Sequence, residues 1–263
     1  MQIYDCFCYR NESDLLEIRL NELNDIVDYF VICEATKTFT GLPKPLNFNI
    51  NNYPQFKDKI IYIVNNTLVD KPDDTWINQI NQRNFLINGV KDTIKDNDII
   101  MLSDVDEFPS AFALRNGLQL VTEDNIIIFN HAVHYYYCNY YSIDWMGAKI
   151  TQYKNILSKF DGKLDNFRNH WLSINTLTYT GGWHFSSLGG DLAIKEKLNS
   201  ISEQKFNTPE ELPKVFERKN NGVDLMGRKM KIVDITYQTH PKYLVDNLIK
   251  FKHLIGEENN DKL

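Results

Sequence analysis

Three acidic residues follow a short apolar run and form the most chemically suggestive cluster of the sequence. Residues 99–102 lead directly to Asp104, Asp106 and Glu107. If the backbone stays extended there, side chains at i and i+2 point the same way, so Asp104 and Asp106 can converge on one cation. Carboxylate oxygens suit Mg²⁺ or Mn²⁺, and such an ion can in turn bind a diphosphate. The structural alternative is a solvated acidic turn ahead of a helix, capped by Asp106 or Ser110.

Two enzyme classes place an Asp-X-Asp motif at the end of a strand. In phosphatases of the haloacid-dehalogenase type, the motif follows the first strand and continues to a Thr or Ser just beyond it. Here about a hundred residues precede Asp104, and Glu107, Phe108 and Pro109 follow Asp106. In nucleotide-sugar glycosyltransferases of the GT-A type, a nucleotide-binding half precedes an Asp-X-Asp motif midway along the chain. The position of the motif favours the transferase.

The composition and net charge argue against several classes of protein. The chain has 263 residues, of which 43% are hydrophobic, and a formal net charge of -6, which argues against a nucleic-acid partner. The cysteines form no Cys-X-X-Cys pair, so we expect buried free thiols in a reducing compartment and no zinc site. No apolar run approaches the ~20 residues of a transmembrane helix, and no signal peptide is evident. We therefore expect a cytoplasmic protein without a transmembrane segment.

Apolar runs and amphipathic stretches alternate through the first part of the chain. The runs "IYDCFCY", "DYFVICEA", "KIIYIVNN" and "DIIMLSD" predict strands. Helices are expected over "NESDLLEIRLNELNDIV", with Ser13 as N-cap, and over "WINQINQRNFLINGVKDTI", with Trp76, Ile80 and Phe85 on its apolar face. This rhythm predicts an α/β fold of the Rossmann-like type, with a mostly parallel central sheet flanked by helices.

The pattern changes after Pro109. "NIIIFNHAVHYYYCNYY" predicts a long strand or hairpin, and "TYTGGWHFSSLGG" predicts a loop where the backbone approaches something closely. "DLAIKEKLNSI", "PEELPKVFERKN" and "PKYLVDNLIKFKHLI" predict helices over the second half. We expect one domain over residues 1–263, with a nucleotide-sugar-binding half, 1–109, and an acceptor-binding half, 110–263, that ends in helices.

Several of these stretches together resemble glycosyltransferase family 17. They are "YDCFCYRNESDLLEIRLNELNDIVDYFVICEATKTFTGLPKPL", "NQRNFLINGV", "DIIMLSDVDEFPS", "GGWHFS" and "PKYLVDN", in the order of the family. The family includes N-acetylglucosaminyltransferases that make bisecting GlcNAc. The resemblance implies a GT-A fold, a UDP-sugar donor such as UDP-GlcNAc, a Mn²⁺ or Mg²⁺ cofactor, and a glycan as the acceptor.

The resemblance, combined with chemistry, implies a set of metal-binding residues. Asp106 would ligate the cation directly, and Asp104 would bind a metal-bound water or the ribose. His184 would supply a further ligand, because neutral imidazole binds Mn²⁺. An ordinary packed histidine is the alternative for His184, and His240 is a second choice as the ligand.

Donor binding is expected of residues near the end of the second strand, on the second helix and in the Gly-Gly-Trp-His segment. Glu34 would accept hydrogen bonds from uracil or ribose, unless it lies in a plain loop. Arg83 would pair with the diphosphate or with Asp104, unless it lies on a solvated face. The complete set of expected donor-binding residues is Glu34, Thr36, Thr38, Arg83, Asp104 and Trp183.

The resemblance also implies inversion at the anomeric carbon, which requires a general base for the acceptor hydroxyl. Glu107, Asp144 and Asp191 are the candidates. We prefer Asp191, because the glycines before it let the backbone approach a sugar. The rival interpretation is a glycan-binding protein that keeps the fold without catalysis, and the retained acids and His184 argue against it.

Overall fold

The computed structural model describes residues 1–256 and contains a central sheet with helices on both faces. The strands are β1 Ile3–Tyr9, β2 Tyr29–Ala35, β3 Ile60–Asn65, β4 Ile99–Asp104, β5 Glu107–Phe108, β6 Ile126–Tyr135, β7 Tyr140–Gln152, β8 Thr176–Ser186 and β9 Lys231–Ile232. The α-helices are α1 Ser13–Leu23, α2 Trp76–Phe85, α3 Ala111–Gln119, α4 Tyr153–Phe160, α5 Leu164–Arg168, α6 Asp191–Ser200, α7 Leu212–Asn220 and α8 Lys242–Asp246.

The sheet is mixed, whereas the sequence predicted a mostly parallel one. Its order is β3-β2-β1-β4-β7-β6-β8-β5, with β9 beside β7. The strands from β3 to β4 are parallel, as expected, but β7 is antiparallel to both β4 and β6. The cause is the short connection between β6 and β7, since a turn of a few residues can join only antiparallel neighbours. The predicted hairpin in this segment therefore sets the direction of the second half of the sheet.

Helices cover the two faces of the sheet through separate apolar clusters. On one face, α1 and α8 pack through the buried side chains of Leu16 and Leu244. On the other face, α4 and α5 contribute Ile156 and Phe167. A third cluster joins α6 and α7 to the end of β6.

Helix α2 directs polar side chains towards the protein, the reverse of what was predicted for Trp76 and Ile80, while Phe85 packs on the apolar core as expected. Trp76 and Ile80, expected on a buried face, are 45% and 41% exposed. The Nε2 of Gln82 instead donates a 2.9 Å hydrogen bond to the carbonyl of Cys33 at the end of β2. The inward face of α2 meets polar strand ends, so polar side chains are the ones that find partners there. The buried residues of α2 are Asn78, Gln82 and Arg83.

The Gly-Gly-Trp-His segment lies inside β8, so the predicted loop is wrong. Gly181 and Gly182 have φ angles of 143° and 122°, which L side chains rarely adopt. A Cβ on Gly181 would lie 2.8 Å from the Cβ of Ala113, and one on Gly182 would lie 2.4 Å from the carbonyl oxygen of Phe108. The glycines therefore let β8 pack closely on α3 and β5, which fixes the strand that carries His184.

Two helix ends differ from the predictions. Helix α1 has Glu12 as its N-cap residue and no side-chain cap hydrogen bond, so Ser13 is its first residue and not its cap. The predicted C-terminal helix consists of α8 and a short 3₁₀ turn at Lys252–Leu254. The hydroxyl of Tyr243 in α8 donates a 2.6 Å hydrogen bond to Glu17 of α1, so the second half of the chain also packs on the first.

Two further expectations concern free, buried cysteines and the absence of a transmembrane segment. Cys6, Cys8, Cys33 and Cys138 are all free thiols, and all but Cys8 are buried. Burial raises the pKa of the Cys6, Cys33 and Cys138 thiols, so these side chains stay protonated and act as small apolar groups. Among residues 1–256, no helix is both long enough and apolar enough to cross a membrane.

Buried His134 should make the stability of the protein depend on pH. Neither of its ring nitrogens has a hydrogen-bond partner among residues 1–256. Burial, together with neighbouring His240, lowers the pKa of His134 to about 3 from its ordinary 6.5. Between these values the unfolded chain binds a proton that the folded chain does not. The free energy of unfolding should therefore decrease as pH falls below 6.5, by up to about 1.4 kcal/mol per pH unit.

We expect His134→Phe to reduce this dependence on pH, because phenylalanine fills a similar volume and does not titrate. Urea unfolding of both proteins at pH 7, 6 and 5 measures the effect. Other titrating groups are the same in the two proteins and cancel in the difference. An identical loss of stability in both between pH 7 and pH 5 would contradict a neutral buried His134.

Candidate active site

A cavity of about 240 Å³ opens at the carboxyl ends of β1, β2 and β4. Ligands of open α/β sheets bind at this edge, so the cavity lies where the sequence placed the site. The predicted site residues that line it are Thr38, Asp104, Asp106, Glu107 and His184. It is also lined by side chains that the sequence did not indicate as site residues, among them Arg10, Trp76 and Lys197.

Asp104, the last residue of β4, is held by two arginines. The Nη2 of Arg83 lies 3.1 Å from each carboxylate oxygen of Asp104. The Nη2 of Arg168 lies 3.6 Å from Oδ2. Burial opposes the ionisation of Asp104, but the two guanidinium groups outweigh it and lower the pKa of this carboxyl well below its usual range. Arg83 also pairs with Asp165 of α5 at 3.2 Å, which fixes the position of its side chain.

Asp106 faces the cavity and meets two groups from the second half of the chain. The Nζ of Lys197 on α6 lies 2.8 Å from Oδ2 of Asp106, and the Nε2 of His184 on β8 lies 3.9 Å from the same oxygen. Burial opposes the charge on both members of the Asp106–Lys197 pair. Their mutual attraction outweighs burial, so the pKa of Asp106 is lowered and the pKa of Lys197 is raised. Both groups are therefore charged at neutral pH.

Glu107 lies behind these residues and is placed to orient His184. The pairing of β5 with β8 sets Glu107 directly opposite His184. Its Oε2 accepts a 2.7 Å hydrogen bond from Arg168, and its Oε1 lies 3.6 Å from the Nδ1 of His184. This Nδ1 is buried and has no hydrogen-bond partner in the described part of the chain. A proton on Nδ1 directed at Glu107 would leave Nε2 free to bind a ligand on the side of Asp106.

Arg19 of α1 shapes the backbone that carries the acids, although no motif in the sequence points to it. Its guanidinium is fully buried and pairs with Asp5 of β1, which is also fully buried, at 2.5 Å. The same side chain donates to the carbonyls of Asp104 and Glu107, at 2.8 and 2.9 Å, and to the hydroxyl of Ser103 at 2.8 Å. The turn after β4 is therefore built around one guanidinium group.

The side chains present fit a divalent cation that is held by two protein ligands. Asp106 and His184 both face the cavity, and a carboxylate behind the histidine is a common way to orient a metal-binding imidazole. The oxygens of Asp104 are engaged by Arg83, and no group of three or more His, Cys, Asp or Glu within residues 1–256 is arranged to hold a metal. A cation here would therefore need further oxygens from a diphosphate or water, which is usual for Mg²⁺ in nucleotide sites.

Glu34 lies at the end of β2, where it was expected, but its contacts are internal. It is fully buried, and its carboxylate accepts hydrogen bonds from the Nζ of Lys44 at 2.6 Å and from the hydroxyl of Tyr62 at 2.9 Å. These bonds fix the loop that follows β2. Thr38 of this loop lines the cavity, whereas Glu34 and Thr36 do not.

A second cavity, of about 660 Å³, lies on the opposite face of β8. Trp183 lines this cavity while the next residue, His184, lines the first, because successive side chains of a strand alternate between faces. Asp144 and His240 also line the second cavity, and Asp144 accepts a 3.2 Å hydrogen bond from the hydroxyl of Tyr141. Trp183 is only 7% exposed, and its indole nitrogen donates to a backbone carbonyl at 2.7 Å. Asp144 and Trp183 are thus separated from the acids after β4.

Asp191 is the first residue of α6 and is not among the residues that line the first cavity. Its carboxylate pairs with Lys219 of α7 at 2.6 Å. At 1.5 Å per residue it lies roughly 9 Å along α6 from Lys197, which does reach the cavity. Gly190 is the N-cap of this helix, so the glycines before Asp191 start α6 and do not approach the candidate site.

The family model of glycosyltransferase family 17 matches residues 1–196, which is most of the chain. The chain belongs to glycosyltransferase family 17. The matched segment of this family 17 chain contains Arg19, the acids after β4, Arg168 and His184, and it ends one residue before Lys197.

The family 17 chain is also similar to curated proteins named β-1,4-mannosyl-glycoprotein 4-β-N-acetylglucosaminyltransferase. It is 25% identical to that of Rattus norvegicus over 293 residues, and 24% identical to that of Mus musculus over 290 residues. Each of these matches covers 93% of this chain and 53% of the relative. The protein of Homo sapiens is 33% identical over 108 residues, 38% of this chain and 20% of the relative. The chain spans about half the length of the rat and mouse relatives it matches.

The buried Arg19–Asp5 pair predicts a large effect on stability. Arg19→Met leaves the Asp5 carboxylate buried without a counter-charge, which should lower the free energy of unfolding by about 3–5 kcal/mol. The double variant Arg19→Met/Asp5→Leu removes the isolated charge and should recover part of this loss. Urea denaturation measures both effects, with Arg115→Met, an exposed arginine of α3, as the control. A single variant as stable as the control would show that the pair does not support the fold.

Proposed function

We propose that this family 17 chain is a metal-dependent, inverting glycosyltransferase that transfers GlcNAc from UDP-GlcNAc to a glycan acceptor. The observation that carries the proposal is the convergence of Asp106 and His184 on the cavity at the carboxyl ends of β1, β2 and β4. Family membership supports sugar transfer, and the names of the rat and mouse relatives support GlcNAc and a glycoprotein glycan.

The strand order supports a GT-A type of arrangement. Residues 1–109 supply the parallel strands β3, β2, β1 and β4, and the acids follow the last of these. On the side away from β1, β4 pairs with the antiparallel strand β7, which belongs to the second half of the chain. A nucleotide would therefore lie against the first half, and the acceptor would approach from the second half.

Residues at the rim of the cavity offer the contacts that a UDP-sugar needs. The half-exposed indole of Trp76 presents an apolar face on which uracil can stack. The hydroxyl of Thr38 faces the same cavity and can bond to the ribose. The guanidinium of Arg10 also lines it, held by Glu12 at 3.3 Å.

In the proposed reaction, the acceptor hydroxyl attacks the anomeric carbon, its proton passes to a carboxylate, and the nucleoside diphosphate leaves with the bonding electrons. A divalent cation held by Asp106 and His184 would neutralise charge on the departing diphosphate. Glu107, whose Oε1 lies 3.6 Å from Nδ1 of His184, would orient this imidazole, while Arg83 and Arg168 keep Asp104 ionised. Of the three acids predicted as general base, Glu107 lines this cavity, but its carboxylate pairs with Arg168 and lies beside His184. Asp144 and Asp191 do not line this cavity.

A non-catalytic glycan-binding protein is the second candidate function, and the second cavity favours it. Tyr141, Asp144, Trp183 and Tyr237 line this cavity, and aromatic rings beside a carboxylate suit the apolar faces and hydroxyl groups of sugars. Such a protein would bind a glycan in the absence of any nucleotide.

The proposed function predicts that UDP-GlcNAc and Mn²⁺ together stabilise the protein. A thermal-shift panel of nucleotide sugars, each with and without Mn²⁺, tests this by the linkage of binding to stability. The largest rise in Tm should require both UDP-GlcNAc and Mn²⁺, and it should be lost in Asp106→Asn. Asp106→Asn should also reduce sugar transfer by about 10²–10³-fold, the order expected when charge stabilisation of a transition state is removed.

The other outcomes of the panel separate the alternatives. A shift with a different nucleotide sugar would keep the transferase and replace the donor. A shift with free glycans and with no nucleotide sugar would overturn the proposal in favour of the glycan-binding protein. Full transfer by Asp106→Asn would remove the metal from the mechanism.

A further inference from the structure

Lys197 is a cationic residue of the candidate active site that lies outside the segment matched by the family model. Its side chain is 20% exposed and lines the cavity, and its ammonium lies 2.8 Å from Oδ2 of Asp106. A divalent cation bound by Asp106 and His184 would use the same carboxylate. Because like charges at this range repel strongly, the ammonium and the cation compete for Asp106.

The surrounding charges show why an ammonium pairs with Asp106 here. Arg83 and Arg168 are committed to other acids, since Arg83 pairs with Asp104 and Asp165, and Arg168 pairs with Glu107. Neither of them has an ion pair with Asp106 in the described part of the chain. Lys197 is therefore the cation that balances Asp106 in this structure, and a diphosphate entering the cavity would bring further negative charge to the same place.

The backbone around Lys197 is tied to the first half of the chain. Arg10 donates to the hydroxyl of Ser200 at 2.9 Å and to the carbonyl of Glu196 at 3.3 Å. The carbonyl of Ser200 also accepts a 3.0 Å hydrogen bond from the backbone of Phe39. These bonds hold the end of α6 over the cavity. The flexible four-carbon stem of a lysine allows its ammonium to change partner while the helix stays in place.

We propose that Lys197 is a diphosphate-binding residue that pairs with Asp106 only while the donor is absent. When a divalent cation binds Asp106, the ammonium leaves this carboxylate and pairs with a diphosphate oxygen of the donor. The exchange involves ion pairs alone, so no covalent bond forms or breaks. This inference rests on the proposed function, because it requires that the cavity take a nucleoside diphosphate.

The exchange has two opposite consequences for binding. Lys197 opposes a cation that binds alone, because that cation displaces the ammonium from Asp106 without offering it a new partner. Lys197 favours the cation and the diphosphate together, because the ammonium then has a new anion. The two ligands are thereby coupled, and by linkage the coupling is reciprocal. A lysine that only supports the fold would change both affinities in the same direction.

Isothermal titration calorimetry of wild-type protein and Lys197→Ala tests the exchange, with Mn²⁺ alone and with UDP in saturating Mn²⁺ as the probes. Mn²⁺ alone should bind the variant about fivefold more tightly, since a partly exposed ion pair no longer competes. UDP with Mn²⁺ should bind about tenfold more weakly, since a charge-assisted contact to the diphosphate is lost. Lys195→Ala, an exposed lysine of the same helix, is the matched control and should behave as wild type.

Wild-type binding of UDP with Mn²⁺ separates the inference from the proposed function. If wild type binds UDP with Mn²⁺ but the two affinities of Lys197→Ala are unchanged or fall together, the exchange is wrong and the proposed function stands. If wild type binds neither UDP nor any nucleotide sugar, both fail. Lys197→Gln, which keeps most of the stem and removes the charge, repeats the comparison if circular dichroism shows that Lys197→Ala does not fold.

Discussion

The buried ion pair between Arg19 and Asp5 is the interaction on which the candidate site depends. Charges that are fully removed from water are tolerated only where each polar atom finds a partner. Arg19 meets this condition by also donating to Ser103 and to the carbonyls of Asp104 and Glu107. One side chain of α1 thus joins β1 to β4 and sets the path of the turn in which the acids lie.

Two further arginines form ion pairs with two of the three acids, Asp104 and Glu107. Arg83 and Arg168 neutralise Asp104 and Glu107 from the side of α2 and α5, so these carboxylates have fixed partners. Asp106 instead faces the cavity, and its partner is a lysine from another helix. Acids that are close in sequence therefore differ in their surroundings, because the partners of two of them are buried arginines while the third faces the cavity and pairs with a partly exposed lysine.

The sequence predicted the parallel half of the sheet and the place of the acids, because long apolar runs and an abrupt acidic end are local signals. It failed where the deciding contacts are distant in the chain. Arg168 is 61 residues from Glu107, and Lys197 is 91 residues from Asp106, and neither lies in a motif. Helix α2 was misoriented for the same reason, since its polar partners lie on other strands. The pairing of Arg19 with Asp5 left a signal at one partner only: Asp5 is a lone charge within the apolar run of residues 3–9, whereas Arg19 lies among the acids of α1.

A crystal structure of the protein with UDP and Mn²⁺ would test the proposed donor site directly, because it shows where the nucleotide and the cation lie. A diphosphate should lie in the cavity at the carboxyl ends of β1, β2 and β4. The cation should be bound by Asp106 and His184, and the uracil should lie near Trp76. UDP bound in the cavity beside Trp183 and Asp144, or a cation bound away from Asp106, would contradict the proposed donor and metal sites.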